Sequence, residues 1–232
     1  MKRFISTVLT CVSLLALGAC NKQIKLREDI ADFIENFSLT QAVEAYKKVE
    51  MIKEIYTNDN GVIGLKRETI TFDVNEVTHP EYRYETKEYE GETLVKTSEE
   101  YLLYEEETIY LMHGGEKREY TLEQAHALIQ NFFYKKTYLD GTYHTDGYYY
   151  GDIISRSAVD YQRYITIDVE NELLLFKGQS QNKANNETVT RSSELVIDKL
   201  GMLIKNVAIA KSDTKESKTE INIKNINEVV SM

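Results

Sequence analysis

At 232 residues and 42% hydrophobic content, the chain has enough apolar material for a buried core and belongs with folded rather than disordered sequences. Its formal net charge of −10 sets it against phosphate backbones, which excludes nucleic acid as a partner class. Of its two cysteines, Cys11 lies in a segment expected to be removed, so no disulfide framework remains and stability must come from an ordinary core.

The chain opens with Lys2 and Arg3, then an apolar run from Val8 to Ala19. A membrane-spanning helix needs about 20 apolar residues, so this run is too short to span. A charged start, a short apolar stretch and small residues before a cut site mark a secretory signal. Leu17-Gly18-Ala19-Cys20 adds a cysteine at its end, and in this the segment resembles a bacterial lipoprotein signal peptide. The resemblance implies cleavage between Ala19 and Cys20, a diacylglyceryl group on the Cys20 sulfur, and attachment to the extracytoplasmic face of the cell membrane. Two acyl chains anchor stably because each buried methylene adds about 0.8 kcal/mol. The expected organisation is a signal peptide over 1–19, a tether over 20–25 and one domain over 26–232.

Two helical stretches follow. Leu26, Ile30, Phe33, Ile34 and Phe37 recur on one helix face, and the Ser38-x-x-Gln41 spacing predicts a restart that carries the helical region to residue 48. Thr121-x-x-Gln124 opens a second helix over 121–136, with Leu122, Ala125, Leu128, Ile129, Phe132 and Phe133 as an apolar stripe. Most of the remainder alternates with period two, as half-buried antiparallel strands do. Ile70, Phe72 and Val74 form one such set, and Ile165, Ile167 and Val169 another. Leu203, Val207 and Ile209 continue the pattern with Lys205 intruding, and Ile221 and Ile223 flank Asn222. Asn60-Gly61, Glu90-Gly91, Gly114-Gly115, Asn171 and Gly201 supply turns, while the polar segment 179–187 reads as an exposed loop. The sum is an α+β fold, with a large antiparallel sheet of nine to eleven short strands around two helices.

The order of elements resembles the LolA/LppX-like half-barrel lipoproteins, of a kind recurring in low-GC Gram-positive bacteria without assigned role. The segments that carry the likeness are Tyr101-Leu102-Leu103-Tyr104, Thr108-Ile109-Tyr110-Leu111, and Glu194-Leu195-Val196-Ile197 through Gly201 to Val207-Ala208-Ile209. The resemblance implies a strongly curved sheet wrapping helices around a greasy cleft. No Trp is present, although many relatives carry one near the mouth of that cleft.

Chemistry-bearing residues are sparse. Asp140, His144, Asp146 and Asp152 could bring metal ligands together, but their spacing matches neither an EF-hand nor a zinc signature, and Asp140-Gly141 and Asp146-Gly147 are ordinary turn pairs. No metal site or cofactor is assigned. His79, His113, His126 and His144 are scattered, with His126 expected as a hydrogen-bonded boundary residue. Tyr148, Tyr149 and Tyr150 suit either half-buried strands or the rim of a ligand cleft or a protein contact. No nucleophile elbow, phosphate loop or zinc-protease motif occurs, so the expectation is a non-enzymatic protein. The leading reading is a lipid-anchored protein that binds a lipid or other apolar ligand between the curved sheet and the helices at 26–48 and 121–136. The alternative is an envelope interaction or structural module using the acidic, Tyr-rich strands 81–110, where ten Glu between Glu81 and Glu107 face Arg83, Lys87 and Lys96.

Overall fold

Helix α1, Glu28–Glu35, is the first described element of a computed structural model that describes residues 27–134, 163–184 and 187–226. The signal segment, Ala19, Cys20 and Leu26 lie outside those residues. Glu28 and Asp29 occupy the first turn of α1, where carboxylates complement the helix dipole. Ile30 is fully buried, and Phe33, Ile34 and Phe37 pack beside it. Arg27 ties the start of the helix to the sheet by donating from Nη1 to the Ile165 carbonyl at 2.9 Å.

Helix α2, Leu39–Ala45, restarts where its spacing predicts, with Ser38 Oγ accepting the Gln41 N–H at 3.3 Å. The helical region does not reach residue 48. Tyr46 leaves helical geometry with ψ 64°, and Lys48 opens strand β1, because Val49 and Met51 alternate with polar neighbours and bury fully against the helices. Helix α3, Leu122–Tyr134, carries both halves of its capping box. Thr121 Oγ1 accepts the Gln124 N–H at 3.2 Å, and Gln124 Oε1 accepts the Thr121 N–H at 2.9 Å. Among the described residues no helix is long and apolar enough to cross a membrane.

Among the described residues eleven strands form one antiparallel sheet: β1 Lys48–Asp59, β2 Val62–Asp73, β3 Glu81–Glu90, β4 Thr93–Glu105, β5 Thr108–His113, β6 Glu116–Tyr120, β7 Ile165–Asp168, β8 Leu173–Ala184, β9 Glu187–Asp198, β10 Leu203–Lys211 and β11 Lys215–Asn225. The spatial order is β6-β5-β4-β3-β2-β1-β11-β10-β9-β8-β7, two meanders joined where β1 pairs with β11. The α+β class is as expected, with long strands in place of short ones. At the β1–β2 hairpin, Asn60 and Gly61 adopt φ of 51° and 90°, both left-handed, as a tight turn between right-twisted strands requires.

Register assigns one face of the sheet to the helices. Val49, Phe72, Leu174, Phe176, Leu195, Ile197, Ile221 and Ile223 share that inner face and cluster with Ile30, Ala42, Ile129, Phe132 and Phe133. Three expectations need correction. Within the segment expected as a loop, residues 179–184 are strand: they form the outer half of β8, paired with β9 from Gln179↔Ser192 to Ala184↔Glu187, because strand pairing satisfies their backbone whatever their side chains. Val169 and Val74 fall just outside β7 and β2, and Val169 is 82% exposed. The register shifts between Leu203 and Lys205, so Leu203 faces the core while Lys205, Val207 and Ile209 face the opposite side. One inserted residue accounts for the intruding lysine.

Candidate functional site

The apolar stripe of α3 is sealed against the sheet. Ala125, Ile129, Phe132 and Phe133 are buried, and the Phe72 ring of β2 meets those of Phe132 and Phe133 edge-on at 5.3 and 5.8 Å. A cleft expected between α3 and the sheet is therefore occupied by side chains at this place. The room lies further along the same face, beyond the helices.

There, the register of β8–β11 brings small residues from four strands together. Gly178 and Ser180 stand on β8, Ser193 on β9, Ala208 and Ala210 on β10, and Ser217 and Thr219 on β11. They help line an open trough of about 430 Å³, bounded by Tyr164 and Phe176. That volume falls in the range of small-molecule sites, roughly 300–1,000 Å³. The two rings meet edge-on at 6.3 Å. A Cβ on Gly178 would stand 3.0 Å from Phe176 Cζ and 3.1 Å from Cε1. Glycine at 178 thus lets the Phe176 ring lie along its own strand and form the wall nearest the helices. Arg191, exposed and opposite both Ser180 and Ala210, marks the end near the hairpin tips. Its side chain has no ion pair or hydrogen bond among the described residues.

At the same level, the inner face of β1–β4 is ionic. Glu68 on β2 takes Lys66 at 2.8 Å and Lys53 at 3.3 Å, and Glu88 on β3 takes Lys96 at 3.7 Å. Burial pushes the Glu68 carboxyl upward, yet the hydrogen bond from Lys66 and the charge of Lys53 outweigh it and hold its pKa below the ordinary carboxylate value. The inner face is therefore divided into a trough of small residues under β8–β11 and a charged shelf under β1–β4.

Ala19, Cys20, Asp140, His144, Asp146, Asp152 and Tyr148–Tyr150 lie outside the described residues. Among the described residues no group of three His, Cys, Asp or Glu is placed to hold a metal. His79 stacks on Tyr104 with ring centroids 5.1 Å apart, and His113 lies 3.2 Å from Glu100. His126 donates from Nε2 to the Val77 carbonyl at 2.8 Å, the boundary role expected of it. Two tyrosines of the acidic strands bond within the fold. Tyr104 donates to the Pro80 carbonyl at 2.6 Å, and Tyr82 donates to Glu100 at 3.3 Å, its own pKa raised by burial and by that carboxylate. Nothing in local composition flagged the trough. Its signal is alternation of small residues on four successive strands, visible only once those strands are paired.

No protein-family model matches the chain, and no curated protein matches it. Solved structures do. LprF from Mycobacterium bovis is 9% identical, covering 86% of this chain and 93% of its own, with a TM-score of 0.32. A beta-barrel-like protein of a domain of unknown function from Brucella abortus is 8% identical over 78% and 99%, with a TM-score of 0.26. A putative outer membrane lipoprotein-sorting protein domain from Vibrio parahaemolyticus is 8% identical over 85% and 94%, with a TM-score of 0.23. At this distance the site must be judged on the residues of this chain.

Proposed function

We propose that the protein is a lipid-anchored, extracytoplasmic, non-enzymatic binding protein that holds a lipid or another apolar molecule on the inner face of its sheet. The trough under β8–β11 is the observation that carries this reading. Gly178, Ala208 and Ala210 give the clearance an acyl chain needs, and Phe176 and Tyr164 supply an apolar wall. Ser180, Ser193, Ser217 and Thr219 add hydroxyls to the lining, and Arg191 offers a cation to an acidic head group at the open end. The anchor rests on the Leu17-Gly18-Ala19-Cys20 segment.

The two parts are tested separately. Ala208→Phe places a ring in the trough, and binding of an apolar fluorescent probe to the full chain is expected to weaken by about tenfold, equivalent to about 1.4 kcal/mol. Native mass spectrometry of the same protein is expected to show co-purifying lipid in the wild type and less in the variant. Equal probe affinity and no lipid in either would remove the trough as a binding site. For the anchor, cells fed a fatty-acid analogue are expected to label the wild type and not Cys20→Ala, whose protein leaves the membrane fraction. Labelling that survives the substitution ends the lipoprotein assignment.

A further inference from the structure

The second feature that the fold leaves open is a strand edge. Strand β4 pairs with β5 only from Glu105↔Thr108 to Glu100↔His113, because the chain turns at Gly114-Gly115 into β6. On that side Thr93–Glu99 has no strand beside it among the described residues, and all seven of its residues are exposed. In an antiparallel strand alternate N–H and C=O groups point away from the partner, so this stretch presents a row of backbone donors and acceptors to solvent.

Side chains at the same corner are apolar at the centre and acidic at the rim. Leu94 and Val95 are 48% and 51% exposed, and on the adjoining hairpin Val62 and Ile63 are 72% and 43% exposed. The two hairpins are joined by Gly91 N–H donating to the Ile63 carbonyl at 3.0 Å. Nearby cations are already engaged: Arg83 with Glu99 at 2.7 Å, Lys87 with Glu85 at 2.7 Å and Lys96 with Glu88 at 3.7 Å. Glu90 and Glu92, at the tip, have no cationic partner among the described residues. The uncompensated charge at this edge is negative.

We propose that the free edge of β4, Thr93–Glu99, docks an extended basic and apolar segment of a protein partner. The segment adds as a strand beside β4, in line with β5. Backbone pairing supplies affinity, and alternate side chains read the apolar corner and its acidic rim. A second copy of this chain is a poor occupant, since antiparallel self-pairing of this edge, centred on Lys96, sets Lys96 against itself and Glu92 against Glu100 of the other copy. The extra residue that Val95 contributes to β4 between the Glu88↔Lys96 and Tyr89↔Leu94 pairs also bends the edge away from such a contact. This site is independent of the trough and of the ligand reading.

The test uses the full chain and a capped nine-residue probe peptide alternating Lys with Val and Thr. Fluorescence anisotropy gives its affinity, and hydrogen exchange locates it. Exchange of Thr93–Glu99 is expected to slow at least about fivefold on binding, as strand addition buries those amides. The same peptide with Glu for Lys is expected to bind at least about tenfold more weakly, as is wild-type peptide to the double variant Glu90→Lys, Glu92→Lys. N-methylation of alternate probe residues is expected to abolish binding in one of its two phases and spare it in the other, because only one edge of the peptide faces β4. Unchanged exchange at Thr93–Glu99, slowing confined to Gln179–Ala184, or equal binding of both N-methylated phases would overturn the proposal. So would protection of Thr93–Glu99 that grows with protein concentration in the absence of peptide, since it assigns the edge to a second copy.

Discussion

Phe72→Ala is expected to lower the unfolding free energy by about 4 kcal/mol, the largest effect of any single truncation considered for this chain. Phe72 is 2% exposed on the inner face of β2, paired with Val49 on one side and Tyr82 on the other. Its ring meets Phe132 at 69° and Phe133 at 66°, while those two meet each other at 5.4 Å. Removing it opens a cavity between sheet and helix that the backbone cannot close, because β2 is held on both sides by strands of ten or more residues. For a domain of this size the loss corresponds to a melting temperature lower by about 10 °C. Ile63→Ala, at the exposed end of the same strand, is expected to change stability by less than about 0.5 kcal/mol. Thermal unfolding of the two variants checks the contrast; comparable shifts would mean that α3 does not dock through this triad.

The placement of that core explains where function is available. The helices pack at one end of the inner face, at the level of Val49, Phe72, Leu174 and Ile223, and there the sheet is filled. Toward the hairpin tips the long strands outrun the helices. What faces inward there is decided by residue type alone: ion pairs around Glu68 on β2, small side chains on β8–β11. Among the described residues, the short strands β5 and β7 leave the flanks of β4 and β8 without a neighbouring strand at the same end. Uncovered surface, whether for an apolar ligand or for a strand, concentrates where covering elements stop.

Features set by neighbours in sequence were legible. The Thr121 capping box forms in full and Ser38 caps α2 through its Oγ, although its own N–H donates to the Leu200 carbonyl; Asn60-Gly61 turns a hairpin, and Ile221 and Ile223 face the core from β11. Features set by distant pairing were not. The bulge after Leu203 reverses which face Val207 and Ile209 occupy, and alternation alone does not register one added residue. Polarity made 179–187 look like a loop, yet a two-stranded ribbon needs no apolar face when both its faces are wet. The start of β1 was hidden because Tyr46 and Lys48 fit the helical period that precedes them, and only burial of Val49 and Met51 decides the change. The trough and the free edge depend on which strands become neighbours and how long each is.

Asp198 gives the second large effect, and its pH dependence has a definite sign. The side chain sits at the β9–β10 turn and accepts from three donors: Tyr46 Oη at 2.5 Å through Oδ2, and the Leu200 and Met202 amides at 2.9 Å each through Oδ1. Tyr46 and Met202 are themselves buried, so Asp198→Ala leaves donors without acceptors and is expected to cost about 3 kcal/mol. Burial nonetheless pushes the Asp198 carboxyl above its ordinary value of 3.8, outweighing the hydrogen bonds that favour its charge. The folded state therefore holds the proton more tightly than the unfolded state. The contribution of this group to stability is greatest below the ordinary carboxylate value and falls as pH rises from there through the raised one. Glu68 and Glu194, lowered by lysine partners, and Asp73, lowered by the Asn75 amide and then by Lys48, act in the opposite direction and lose stability as pH falls. Asp198→Asn keeps an acceptor for the two amides and lets Tyr46 accept from the new amide, so it is expected to stay within about 1 kcal/mol of wild type at neutral pH. Subtracting its urea-unfolding pH profile from that of the wild type isolates the carboxyl: the difference should move against the wild type as pH rises from about 4. A difference profile of the opposite slope would show that the three hydrogen bonds outweigh burial at this group, and equal losses in the Ala and Asn variants would show that a neutral amide does not replace the carboxylate as acceptor.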